Sequence, residues 1–434
     1  MKKILSIILI LMLLMTLTAC GAASDAEAGY AGGIGGSPGT PILDSGDAKG
    51  DGKPSTTAAA MSGEFEATED AVDADFTRAE VDSSKEPNTQ IGSGMLTAGE
   101  WKDLDNIQFW TELLNNNDWF AMMERRNLFV NRIISVKIVD ANNNPCFNVP
   151  VHLKDDSGAI VYKAVSDING NAYLLFDLDH AMKAAEGTKD KPMQIVVAGS
   201  EYQVKENEIN TIVVDTSTID AKQLDLLFMI DTTGSMGDEL SYLQYELRDV
   251  IRRVTEGDKA YSINLSVNFY RDSGDQYVVR SFEFSGDIEK SLKHLSDQSA
   301  NGGGDYAEAV HLALEDVVEN HQWRDDSVKL CFMVLDAPPH NGNEIKGIDA
   351  NLRQSVMAMA EKGIRFIPVA SSGVDTETEF LLRSWAVMTG GTYTFLTNHS
   401  GIGNDHLEPT IGEYQVEKLN DLLVRIISEY CGIK

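Results

Sequence analysis

The chain has 434 residues and a formal net charge of −31 at pH 7. That length holds two or three domains with substantial cores. So acidic a chain is unsuited to nucleic acid, whose phosphates attract basic surfaces, and is suited to attracting divalent cations.

In chain order, "MKK" is a short basic region and "ILSIILILMLLMTL" an apolar run. The run falls short of the roughly 20 residues that span a bilayer as a helix, so it reads as the hydrophobic region of a signal peptide. It leads into "LTAC", Leu17 to Cys20. This resembles the lipobox of bacterial lipoproteins. The resemblance implies cleavage before Cys20, a diacylglycerol on its thiol, and anchoring to the cell membrane on its extracytoplasmic face. An ordinary signal peptide followed by a chance cysteine is the competing reading. The remaining cysteines, Cys146, Cys331 and Cys431, allow at most one internal disulfide, and none has zinc-site spacing.

Residues 20–95 are rich in Gly, Ala, Ser, Asp and Glu without apolar periodicity, as in "GYAGGIGGSPGTP". Such a segment buries too little to fold alone and is expected to be a disordered acidic tether. Residues 96–130 change character. Ile107, Trp110, Leu113 and Leu114 fall at helical spacing, which predicts a short helical segment packed on the domain that follows, with Trp101, Trp110 and Trp119 as core anchors. From 131 to 218 the short β-branched runs "ISVKIVD", "PVHLKD", "IVYKAVS", "AYLLFDL", "MQIVVAG" and "NTIVVD" predict strands, and Asn169-Gly170 predicts a tight turn. This segment loosely resembles the small β-sandwich modules of bacterial surface proteins, which implies a stalk or spacer. Its acidic turns at Asp155, Asp156 and Asp167 suit either solvated turns or calcium.

Residues 219–434 alternate strands with helices. "LDLLFMI", "SINLSVNFY", "YVVRSFEF", "VKLCFMVL" and "IRFIPVA" are the strands. Leu240, Leu243, Leu247, Val250 and Ile251 mark one helix, and Ala313, Leu314, Val317 and Val318 another. Phe380, Leu381 and Trp385 mark a third, and Leu419, Leu422, Leu423, Ile426 and Ile427 the last. Continuous apolar strands suit a sheet covered on both faces, so the fold class is α/β, a doubly wound Rossmann-like domain after a small all-β sandwich module.

Ligands of such sheets lie beyond the carboxyl ends of the strands. There "DTTGSM" presents Asp231, Thr233 and Ser235, hard oxygen donors around Gly234. "NGGGDYAEAV" offers Asp305 and "MVLDAPPH" offers Asp336. Singly, these residues could cap helices or open turns. Together they resemble the metal-ion-dependent adhesion site of von Willebrand factor A domains. The resemblance implies a metal centre on Asp231, Thr233, Ser235, Asp305 and Asp336, with the hydroxyls on the metal and one position open to a partner's acidic group. Asp305 stands where many members have Thr. A third carboxylate leaves the site net negative, which disfavours an acidic group of the partner and makes a neutral oxygen or a retained water the alternative. Arg271, Asp272 and His340 lie near the same edge, the last as a neighbour rather than a ligand.

The expected ion is Mg²⁺, with Mn²⁺ or Ca²⁺ as alternatives. The expected function is adhesion or protein–protein binding to an extracytoplasmic protein or matrix ligand. No enzymatic role is expected, since "HExxH" and a supported Cys–His pair are absent. A structural scaffold of an envelope complex and a metal-dependent hydrolase are the competing readings.

Overall fold

The computed structural model describes residues 92–181, 193–215, 221–256 and 261–433. The expected signal peptide, Cys20 and the tether up to residue 91 lie outside the described residues. The first elements are β1 (Thr97–Trp101), α1 (Ile107–Leu114) and α2 (Asn117–Arg126). The β module follows as β2 (Ile133–Val139), β3 (Pro150–Lys154), β4 (Ile160–Val165), β5 (Asn171–Leu175), β6 (Gln194–Val197), β7 (Ser200–Gln203) and β8 (Asn210–Val213). The α/β part runs β9 (Gln223–Asp231), α3 (Gly237–Thr255), β10 (Ser262–Tyr270), β11 (Val279–Arg280), α4 (Ile288–Ser296), α5 (Val310–Glu319), β12 (Val328–Leu335) and α6 (Ile348–Lys362). It ends with β13 (Ile364–Ala370), α7 (Thr376–Thr389), β14 (Tyr393–Leu396), β15 (Glu417–Lys418) and α8 (Leu419–Cys431). The strand expected over "YVVRSFEF" is reduced to β11.

The large sheet has eight strands in the order β11-β10-β9-β12-β13-β14-β1-β15. β9 pairs in parallel with β10 on one side and β12 on the other. Its side chains alternate between two cores. Leu224, Leu226, Phe228 and Ile230 join residues of α3, α4 and α8, while Leu227 and Met229 join residues of α5, α6 and α7. Apolar residues on both faces explain why the run reads as continuous. Fully burying one of them, such as Phe228 stacked on Phe332 at 5.3 Å, stabilises by roughly 2 kcal/mol. Because the chain leaves β9 first toward β10 and later toward β12, the strand order reverses at β9. Ligands of doubly wound sheets sit beyond the carboxyl ends of the strands at such a reversal.

The segment before the β module departs from expectation twice. Its first residues form a strand, not a helix: β1 lies antiparallel between β14 and β15, with Ala98 opposite Leu396 and Thr97 opposite Lys418. Gly99 makes this approach feasible, since a Cβ there would sit 2.5 Å from the Phe395 ring. The segment also docks on α7 of the α/β part. Arg383, fully buried on α7, donates to Asp103 at 2.6 and 2.9 Å. Its guanidinium lies 5.1 Å from the Trp110 ring and 5.1 Å from the Trp119 ring. Trp110 and Trp119 are thus the expected anchors, and Trp101 is half-buried beside Phe109.

The β module forms two sheets, β5-β2-β8 and β4-β3-β6-β7. Three turns are alike. One carboxylate oxygen of Asp140 accepts from the N–H of Asn142 and Asn144, one of Asp155 from Ser157 and Ala159, and one of Asp167 from Asn169 and Asn171. These carboxylates act as turn braces. Gly170 takes the expected positive φ of 78°. The module is no detached spacer. Its buried residues share one core with α5, α6 and α7, and the Tyr162 hydroxyl donates to Met388 O at 2.7 Å.

Candidate metal centre

Asp231 is the last residue of β9 and is fully buried. Its Oδ1 accepts from the Thr233 N–H at 2.8 Å and the Thr233 hydroxyl at 2.7 Å, and Thr233 Oγ1 lies 3.2 Å from Ser235 Oγ. Helix capping is not what this loop does. The N-cap of α3 is Met236, and neither it nor Thr233, which precedes the short turn Gly234–Met236, receives a side-chain capping bond. The N-cap of α5 is Ala309, so Asp305 caps nothing there either.

The glycine loop crosses directly over this turn. Asn301 N–H donates to Thr232 O at 3.0 Å and Gly234 N–H to Gly302 O at 3.1 Å. Gly302 and Gly303 have φ of +84° and +74°, in the left-handed region. A Cβ on Gly302 would lie 2.3 Å from the Asp275 carboxylate, whose Oδ2 accepts the Gly303 N–H at 2.9 Å. Past the glycines, Asp305 is exposed, whereas Glu308 is 2% exposed. Glu308 N–H donates to Pro338 O at 2.9 Å, which ties this loop to the one carrying Asp336. Asp336 follows β12 and is buried.

Asp231, Asp336 and Glu308 each carry a buried carboxylate oxygen (Oδ2, Oδ1 and Oε2) with no hydrogen-bond partner among the described residues. Burial, and then the charge of Asp336, raises Asp231 to about 7. Burial raises Asp336 to about 6, with Glu239 adding to the rise and Ser235 opposing it. Glu308 is raised to about 9 by burial, then by the charges of Asp231, Asp272 and Asp336. Tyr270 lies among the same charges and is raised well above its ordinary value, first by burial.

Of the five residues expected as ligands, Asp231, Thr233, Ser235 and Asp336 are thus gathered, and Asp305 is left outside. Sequence reasoning missed Glu308 and also Glu239, a buried residue of the first turn of α3 that accepts from Ser372 N–H at 3.1 Å. The signal available for Glu308 is its flanking by the small residues Ala307 and Ala309. Arg271 donates to Ser299 O, and Asp272 pairs with His340, so both brace the surrounding loops. Among the described residues no three imidazole, thiolate or carboxylate side chains form a ready-made ligand group. The donor set is instead mixed, with hydroxyls beside carboxylates, and those hard oxygens fit Mg²⁺.

Comparison with known proteins agrees with the fold. Residues 225–378 match the family model of the von Willebrand factor A domain. A putative ariadne-like RING finger protein of Acanthamoeba polyphaga mimivirus is 31% identical over 121 residues, 27% of this chain and 11% of that protein. The alpha-protein kinase vwkA of Dictyostelium discoideum is 29% identical over 122 residues, 27% of this chain and 19% of that protein. The chain thus spans between a tenth and a fifth of the length of these relatives. The crystal structure of the conserved hypothetical protein BatB from Bacteroides thetaiotaomicron aligns with a TM-score of 0.32 and 13% identity, over 48% of this chain and 99% of that one.

Proposed function

We propose that the von Willebrand factor A domain of this chain holds a divalent cation at a metal-ion-dependent adhesion site. Asp231, Thr233, Ser235 and Asp336 would hold it, and the loaded site would bind a macromolecular partner outside the cell. The observation that carries this reading is the pair of buried oxygens, Asp231 Oδ2 and Asp336 Oδ1, without a partner among the described residues. An ionised oxygen buried without a donor or cation costs several kcal/mol, so such a pair calls for a positive charge. The bound ion supplies a positive centre for an oxygen of the partner.

The chain's own residues prepare the place. Thr233 engages Oδ1 of Asp231 twice and leaves Oδ2 free. The bond between Gly234 and Gly302 fixes the crossing of the first two loops, and that between Glu308 and Pro338 fixes the second to the third. Von Willebrand factor A domains in general mediate protein–protein interaction or adhesion, and we read this chain as a binding protein rather than an enzyme. Lipid anchoring through Cys20 would present it at the extracytoplasmic face of the cell membrane.

The test is calorimetric titration of the chelator-stripped full-length protein with Mg²⁺, Mn²⁺ and Ca²⁺, beside Asp231→Ala. Saturable binding that the substitution abolishes is the expected result. Binding that persists undiminished in Asp231→Ala, or no binding of any of the three at millimolar concentration, overturns the reading.

A further inference from the structure

We propose that Glu308, and not Asp305, is the carboxylate that the glycine loop contributes to the cation, an inference that rests on the metal site proposed above. The two acids stand three positions apart in "DYAE". The loop backbone separates them. Gly302 and Gly303, in left-handed conformations, carry the chain across the Asp231 loop so that Asp305 emerges into solvent. The chain then turns inward, and Glu308 is seated by its N–H on Pro338 O and by a parallel bridge to Pro339. Its Oε1 lies 3.1 Å from the position a Cβ on Gly303 would take, and Thr233 Cβ lies 3.4 Å from that same position. The carboxylate therefore sits behind the glycine loop, beside the hydroxyl-bearing turn, with Oε2 buried and unpartnered among the described residues.

A purely structural glutamate would not be placed this way. A buried carboxylate kept for stability has donors for its oxygens or a cation beside it. Arg383 supplies this to Glu379, at 2.9 Å, in the same domain. The charges that act on Glu308 are instead those of Asp231, Asp272, Asp336 and Asp275, all negative. Mutual repulsion of this kind is relieved by a proton or by a cation, and a divalent ion does so with hard oxygen donors. Three carboxylates around such an ion leave one net negative charge. With Glu308 in place of Asp305 as the third carboxylate, a neutral oxygen still suits the site as the partner's group.

The experiment uses the full-length protein and Mn²⁺ as probe, with affinity read from the loss of the free-ion electron paramagnetic resonance signal. Wild type, Glu308→Gln, Asp305→Asn and Asp231→Ala are compared. Glu308→Gln is expected to weaken Mn²⁺ binding roughly ten- to a hundredfold, and Asp305→Asn to leave it unchanged. Thermal unfolding supplies the second readout. Added Mn²⁺ should raise the melting temperature of Glu308→Gln less than that of wild type. Unaltered Mn²⁺ affinity in Glu308→Gln alongside loss in Asp231→Ala overturns the role of Glu308 and leaves the metal site standing. Unaltered affinity in Asp231→Ala overturns the site itself. Equal rises in melting temperature with Mn²⁺ in wild type and Glu308→Gln also overturn the inference.

Discussion

At His340 two carboxylates from different loops converge, Asp272 at 2.9 Å from Nε2 and Glu344 at 3.1 Å from Nδ1. Only the imidazolium can donate to both. Burial pulls the imidazole down, but these two acids together hold it above its ordinary value, while the neighbouring His311 is pushed down by burial and by His340. A raised folded value gives the sign: the clamp stabilises fully below the unfolded value near 6.5 and fades as pH rises through the folded one. His340→Gln should therefore cost about 1 kcal/mol at pH 6 and close to nothing at pH 9, as read by urea unfolding in EDTA. Equal losses at both pH values would show that the imidazole matters for its shape and not its charge. Asp231, Thr233, Ser235 and Asp336 were legible in the sequence because each lies at the end of an apolar strand or in the loop that follows it, and the strand end fixes where its neighbours lie. Asp305 stands exposed because the left-handed glycines decide which of two nearby acids turns inward. A sequence names the glycines but not their φ.

Among the elements, α7 carries the most consequential contact outside the site. Arg383 bonds Asp103 and Glu379, donates to Thr410 O at 2.8 Å, and so joins the N-terminal segment to the loop before β15. Removing one partner of a buried charge is costly because the other charge remains buried. Asp103→Ala should destabilise the fold by about 3 kcal/mol without altering Mn²⁺ affinity, measured by urea unfolding beside ion titration. A loss under 1 kcal/mol would mean that Glu379 and Thr410 suffice. The helices of the α/β part were legible from their 3.6-residue periodicity, and its parallel strands from their continuous apolar runs. β1 was not. "TAGEW" has no strong alternation and a single β-branched residue, Thr97, and its strand state is imposed by its place between β14 and β15.

For the molecule as a whole, the sequence divides the chain into tether, helical segment, β module and α/β domain. The packing instead unites the described residues of the module with the α/β part, since the module and the α5–α7 face share one core. No local pattern announces such a union, because the apolar residues that meet across it look like ordinary core residues in each part. The proposed anchor is tested at this scale. Cys20→Ala should move the protein from the membrane pellet to the soluble fraction, and retention in the pellet would refute lipidation at that residue. The position of β1 has a further consequence, for the order in which the chain folds. Ala98 emerges from the ribosome long before Leu396 or Glu417, its eventual neighbours. Closing a loop of that length costs on the order of 5 kcal/mol beyond a constant, and nothing repays it until β14 exists. The N-terminal strand must wait unpaired through nearly all of synthesis and then close the sheet last, so the finished fold begins and ends at the same edge.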